Sequence, residues 1–113
     1  MKTTFKTILD SVPALQTLTK MSFRASEAVA LSRLVKKLDG ELKVFDNVRK
    51  NYEKKYENEE LMKHLNSLLG QECEEYEKIT LTLSEDNSID AATILNCEEF
   101  IDFVIKEDKD NGQ

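Results

Sequence analysis

A chain of 113 residues, 40% hydrophobic and 34% charged, has material for one modest core and not for two. No run approaches the roughly 18 consecutive apolar residues of a membrane helix; residues 1–11 lack a secretory apolar stretch, and two cysteines, Cys73 and Cys97, are too few for a disulfide framework and match no zinc spacing. The net charge of −6 is split, with 12 Lys+Arg against 6 Asp+Glu in residues 1–55 and 4 against 16 in residues 56–113, so the two halves attract each other within a chain or across a dimer.

In chain order, Phe5, Ile8, Leu9 and Val12 form an apolar face at helical spacing, which Pro13 interrupts. Proline removes a donor and disfavours helix in the residue before it. The pattern therefore predicts a short helix over residues 4–10 and a second from Pro13, capped by Ser11, with Leu15, Leu18 and Met21 inward.

Residues 25–57 organise the rest. They contain one glycine and no proline, and their coiled-coil-like heptad seam reads Ala28, Leu31, Val35, Leu38, Leu42, Phe45, Arg49, Tyr52, Tyr56. A single helix of about 50 Å follows, longer than a compact domain of this size. Asp39 with Lys43 and Asp46 with Lys50 are favourable i,i+4 pairs on its outer face, where Gly40 also falls. Leu34 and Val48 widen the stripe, and Arg49 on the seam reaches to solvent or to a carboxylate of another helix.

Glu57, Glu59 and Glu60 suit a helix N-terminus, with Asn58 as its cap. Leu61, Leu65, Leu68 and Leu69 make the inner face of a helix antiparallel to the long one, ending near Gly70 or Tyr76. At Ile79-Thr80-Leu81-Thr82-Leu83 the period changes to two, the mark of a half-buried strand. Its expected partner is residues 3–8, residues 88–89 or the same strand of another copy. After a polar turn over 84–88, Asp90 caps a final helix carrying Ala91, Ile94, Leu95, Phe100, Ile101 and Val104. The expected fold is mainly α with a minor β element near residues 79–83. It is a helical bundle on one long central helix, a single domain over residues 1–107 with a flexible acidic tail at 108–113.

Chemistry-bearing residues are sparse. Glu72 with Glu75, and Glu99 with Asp102, are carboxylate pairs at i,i+3 that on facing helices would hold magnesium. A glutamate-rich arrangement of this kind occurs in all-α nucleotide pyrophosphohydrolases, but position 71 is Gln71 where a leading glutamate is expected. His64 is the sole histidine, and a lone helical histidine is usually structural. Cys97 reads as a small hydrophobe, and Cys73 lies among glutamates that disfavour its thiolate. A nucleic-acid surface of Arg33, Lys36, Lys37, Lys43, Lys50, Lys54 and Lys55 is weakened by the interleaved Asp39, Asp46 and Glu53 and has no outward aromatic for stacking. The acidic half admits the reverse idea, a mimic of nucleic-acid charge.

The segments Val12-Pro13-Ala14-Leu15, LDGELKVFDNVR at 38–49, YEKKY at 52–56, residues 65–72 and ITLTLSEDNSIDAATILNCEEFIDF at 79–103 together resemble a family of small phage and prophage proteins of unassigned activity. The resemblance implies an accessory protein acting in the bacterial cytoplasm or the virion. The expected function is therefore non-enzymatic protein–protein interaction, as an assembly factor or an inhibitor of a host protein, without catalytic residues, cofactor, metal, membrane or nucleic acid. A carboxylate–magnesium phosphohydrolase and an acidic nucleic-acid mimic are the alternatives. The stripe outruns the flanking helices, so a homodimer is expected, meeting a partner through Phe45, Arg49, Tyr52 and Tyr56.

Overall fold

The computed structural model describes residues 3–73, 76–84 and 89–105. The protein is mainly helical with one small parallel sheet. Its elements are α1 (Phe5–Thr19), α2 (Ala25–Lys55), α3 (Asn58–Leu69), β1 (Ile79–Leu83), α4 (Ala91–Cys97) and β2 (Ile101–Ile105). The expected tail at 108–113, most of the polar turn and Glu75 lie outside the described residues.

The 31 residues of α2 make it about 46 Å long, and the molecule extends 65 × 25 × 23 Å. Glu27 in its first turn and Lys54 and Lys55 in its last suit the helix dipole. Tyr56 and Glu57 are extended, and Asn58 turns the chain into α3 with φ 54°, a left-handed value that asparagine tolerates. Asn58 is thus not the cap. Glu57 holds that position without a side-chain bond.

α1 runs unbroken through Pro13, contrary to the two short helices expected. Pro13 is exposed, while Ile8, Ala14, Leu15 and Leu18 on either side of it are buried in one core. Burying a leucine or isoleucine is worth about 1.5–3 kcal/mol, against about 3 kcal/mol for an interior proline, so packing on both sides outweighs the break. Ser11 is not a cap either; its hydroxyl donates to the Ile8 carbonyl at 2.7 Å inside the helix. Thr4 caps α1 by accepting from the Thr7 N–H at 3.3 Å.

The main core joins α1 to Leu31, Leu34 and Leu38 of α2, Leu81 of β1, Cys97 of α4, and Phe100 and Ile101. A second cluster unites Phe5, Phe45 and Leu68, one from each of the first three helices. The N-terminal residues are fastened there: Cys73 N–H donates to the Thr3 carbonyl at 2.7 Å and Phe5 N–H to the Gln71 carbonyl at 3.3 Å.

β1 is the expected strand, and its partner is none of those expected. It pairs in parallel with β2, Ile79 opposite Ile101 through Leu83 opposite Ile105. The expected final helix stops at Cys97 and the chain extends from Ile101. The run Ile-Asp-Phe-Val-Ile is β-branched and aromatic, which favours a pleated, half-buried surface. Asp90 caps the shortened α4 as expected, accepting from the Thr93 N–H at 2.9 Å and its hydroxyl at 2.6 Å.

Candidate interaction surface

The four residues expected to meet a partner sit at the far end of α2, and three of them are engaged internally. Phe45 is buried, its ring 5.4 Å from that of Phe5. Tyr56 stacks on His64 of α3 at 4.0 Å between centroids, and Tyr52 lies 5.1 Å from the same imidazole. His64 thus has a packing role between two tyrosines. Arg49 neither reaches to solvent alone nor pairs with another helix. Its guanidinium donates to Asp46 at 2.6 Å and to Glu53 at 2.7 Å along α2 itself. Those bonds hold the Arg49 pKa above its ordinary value and the Asp46 pKa below. The stripe that seemed too long for one chain is covered by α3 and the start of α1.

The carboxylates of the enzymatic alternative have separate placements. Glu72 is exposed in an isolated bridge with Thr4, Glu99 follows α4, and Asp102 lies on β2 with its carboxylate 3.5 Å from Lys78 Nζ. Among the described residues no three His, Cys, Asp or Glu side chains are grouped to hold a metal. Burial pushes both thiols up to about 11, and for Cys73 the second cause is Glu41 of α2, not its sequence neighbours. Neither is poised as a nucleophile at neutral pH.

Two features that periodicity does not reveal remain. The first is a groove between α1 and α2, formed by three hollows in a line. One lies by Met21, Phe23 and Ala28, the next by Val12, Leu15 and Leu42, the last by Leu9, Phe45 and Arg49. They overlap at Thr19 and Val35, and again at Asp39 and Leu42. The second is a difference between the two edges of the sheet. Glu27 reaches from α2 to β1, accepting from the Thr82 N–H at 3.1 Å and the Thr82 hydroxyl at 2.7 Å. Among the described residues β2 pairs with β1 alone.

No family model, curated protein or solved structure matches the chain. Function must be argued from these surfaces. Among the described residues no helix is long and apolar enough to cross a membrane.

Proposed function

We propose that the protein is a non-enzymatic accessory protein of a phage or prophage that acts by protein–protein interaction, as an assembly factor or an inhibitor of a host protein. It works in the bacterial cytoplasm or the virion, and it is a homodimer. Its helices form a bundle in which α3 returns antiparallel along α2. The observation that carries the reading is the α1–α2 groove. Its floor is apolar, with Val35 and Leu42 only half-buried. Its rim carries Gln16 and Thr19 on one side and Asp39, Lys43, Asp46 and Arg49 on the other. An apolar trough between two helices with a mixed-charge rim suits one amphipathic helix of a partner, anchored at i, i+3/i+4 and i+7 spacing.

Affinity capture from host lysate tests it, comparing the wild type with a Gln16→Arg, Thr19→Arg double variant. Both residues are exposed, so the changes overhang the groove without disturbing the core. The expected result is a captured protein that the double variant loses and a distant Lys54→Glu variant retains. Equal capture by all three proteins would reject the groove.

A further inference from the structure

We infer that β2 is a self-pairing edge, and that two copies join through it into a continuous four-stranded sheet ordered β1-β2-β2-β1. This rests on the homodimer reading above and moves its interface from the long helix to the sheet.

The register supplies the geometry. Ile79 N–H donates to the Phe100 carbonyl at 3.0 Å, and Ile79 stands opposite Ile101. In a parallel ladder, Asp102 and Val104 then direct their backbone groups at β1, while Ile101, Phe103 and Ile105 direct theirs outward. A row of unpaired donors and acceptors is a template for another strand, and folded proteins blunt such edges with charge, proline, bulges or a covering element. Here the β1 edge is blunted and the β2 edge is not. Glu27 occupies the outward Thr82 N–H of β1. β2 has no lysine, proline or glycine, and ends in Val104 and Ile105, 47% and 65% exposed.

Charge chooses a second copy as the occupant. The sole charge on β2 is Asp102, already beside Lys78, so the edge presents no net field to repel its like. In an antiparallel pair about a twofold axis through Phe103, Phe103 meets itself as a hydrogen-bonded pair, Ile101 faces Ile105, and Asp102 faces Val104. Like charges never stand directly opposite, which would be destabilising. Ile101 is buried and Phe103 half-buried on one face, so the join extends an existing apolar face and covers Ile105. Two strands alone are marginal in water, and parallel sheets are normally covered on both faces. Four strands meet the first of these demands.

Sedimentation equilibrium of the full chain over a range of micromolar concentrations tests this, using wild type, Ile105→Lys and Ile105→Val. Wild type and Ile105→Val should reach twice the 13.0 kDa monomer mass. Ile105→Lys should remain monomeric, with circular dichroism and melting unchanged because the side chain is mostly exposed. Ile105→Pro, which removes an outward N–H not used within the chain, should do the same and stands in if the lysine variant fails to fold. High salt should not dissociate the wild type, since backbone and apolar contacts are little screened. A dimer that survives both substitutions overturns the edge while leaving the homodimer intact. A wild-type monomer throughout overturns both.

Discussion

Glu27 is the residue on which the sheet depends most. Its carboxylate spans 55 positions to take two bonds from Thr82, tying β1 to α2 and closing one edge. Hydrogen bonds to a charged group are worth about 1.5–3 kcal/mol, so Glu27→Ala should lower unfolding stability in urea by that order, with Glu27→Gln losing less. An unchanged midpoint for Glu27→Ala would mean that packing alone seats the strand. Asp90 behaves differently because its bonds depend on ionisation. The Thr93 hydroxyl and N–H hold its pKa below the usual carboxylate value. Its contribution is therefore present above the unfolded-state pKa, about 3.9, and is lost as pH falls through the lower folded value. The melting-temperature gap between wild type and Asp90→Ala should be full above about pH 5 and shrink below about pH 4. A gap constant from neutral to strongly acid pH would contradict the assigned cap.

The elements differ in how plainly the chain announces them. α2 is legible because its apolar seam repeats without proline, and β1 because threonine alternates with leucine and isoleucine. β2 is not, because Phe100, Ile101 and Val104 also fit a helical face behind the Asp90 cap, and short apolar runs do not distinguish the two periods. Its pairing was hidden as well, since parallel strands need a crossover of about a dozen residues or more, and nearer segments look like better partners. Pro13 misleads in the opposite direction, a local break overruled by burial on both sides. Among candidate site residues, the rank of Phe45 on the seam is legible but its destination is not. Only the fold brings Phe5 to it from 40 positions away. The same limit hides the groove and the open edge, which arise from the placement of distant segments.

Depth along α2 is likewise set by which neighbour arrives. Leu38 is 2% exposed, whereas Leu42, on the same expected seam, is half-buried in the groove. Leu38→Ala should cost about 2–5 kcal/mol, and Leu42→Ala distinctly less; equal losses by chemical denaturation would place the wrong face inward. Gly40 is exposed, and a Cβ there meets no atom within 4 Å. Gly40→Ala should therefore stabilise by about 1 kcal/mol through helix propensity alone, read as a raised urea midpoint.

At the scale of the whole molecule, the long helix is a spine. The sheet lies against its first half through β1, and α3 against its second, while α1 packs on α2, α3 and α4. Scattered exposed apolar residues such as Val29, Val44, Met62 and Leu95 are ordinary for a protein surface. The groove and the β2 edge differ in being shaped features with directional chemistry. They are also separate, so one could hold a second copy while the other takes a helix of a different protein.

Self-pairing at β2 makes a prediction with a period of two. Amide exchange followed by NMR at several protein concentrations reads it residue by residue. The inward N–H groups of Asp102 and Val104 should be protected at every concentration, because β1 satisfies them within one chain. The outward N–H of Phe103 should be protected at high concentration and speed up on dilution, as the second strand leaves. Phe103 exchanging at the rate of an open amide at every concentration, beside protected Asp102 and Val104, would show the edge bare and contradict the four-stranded sheet.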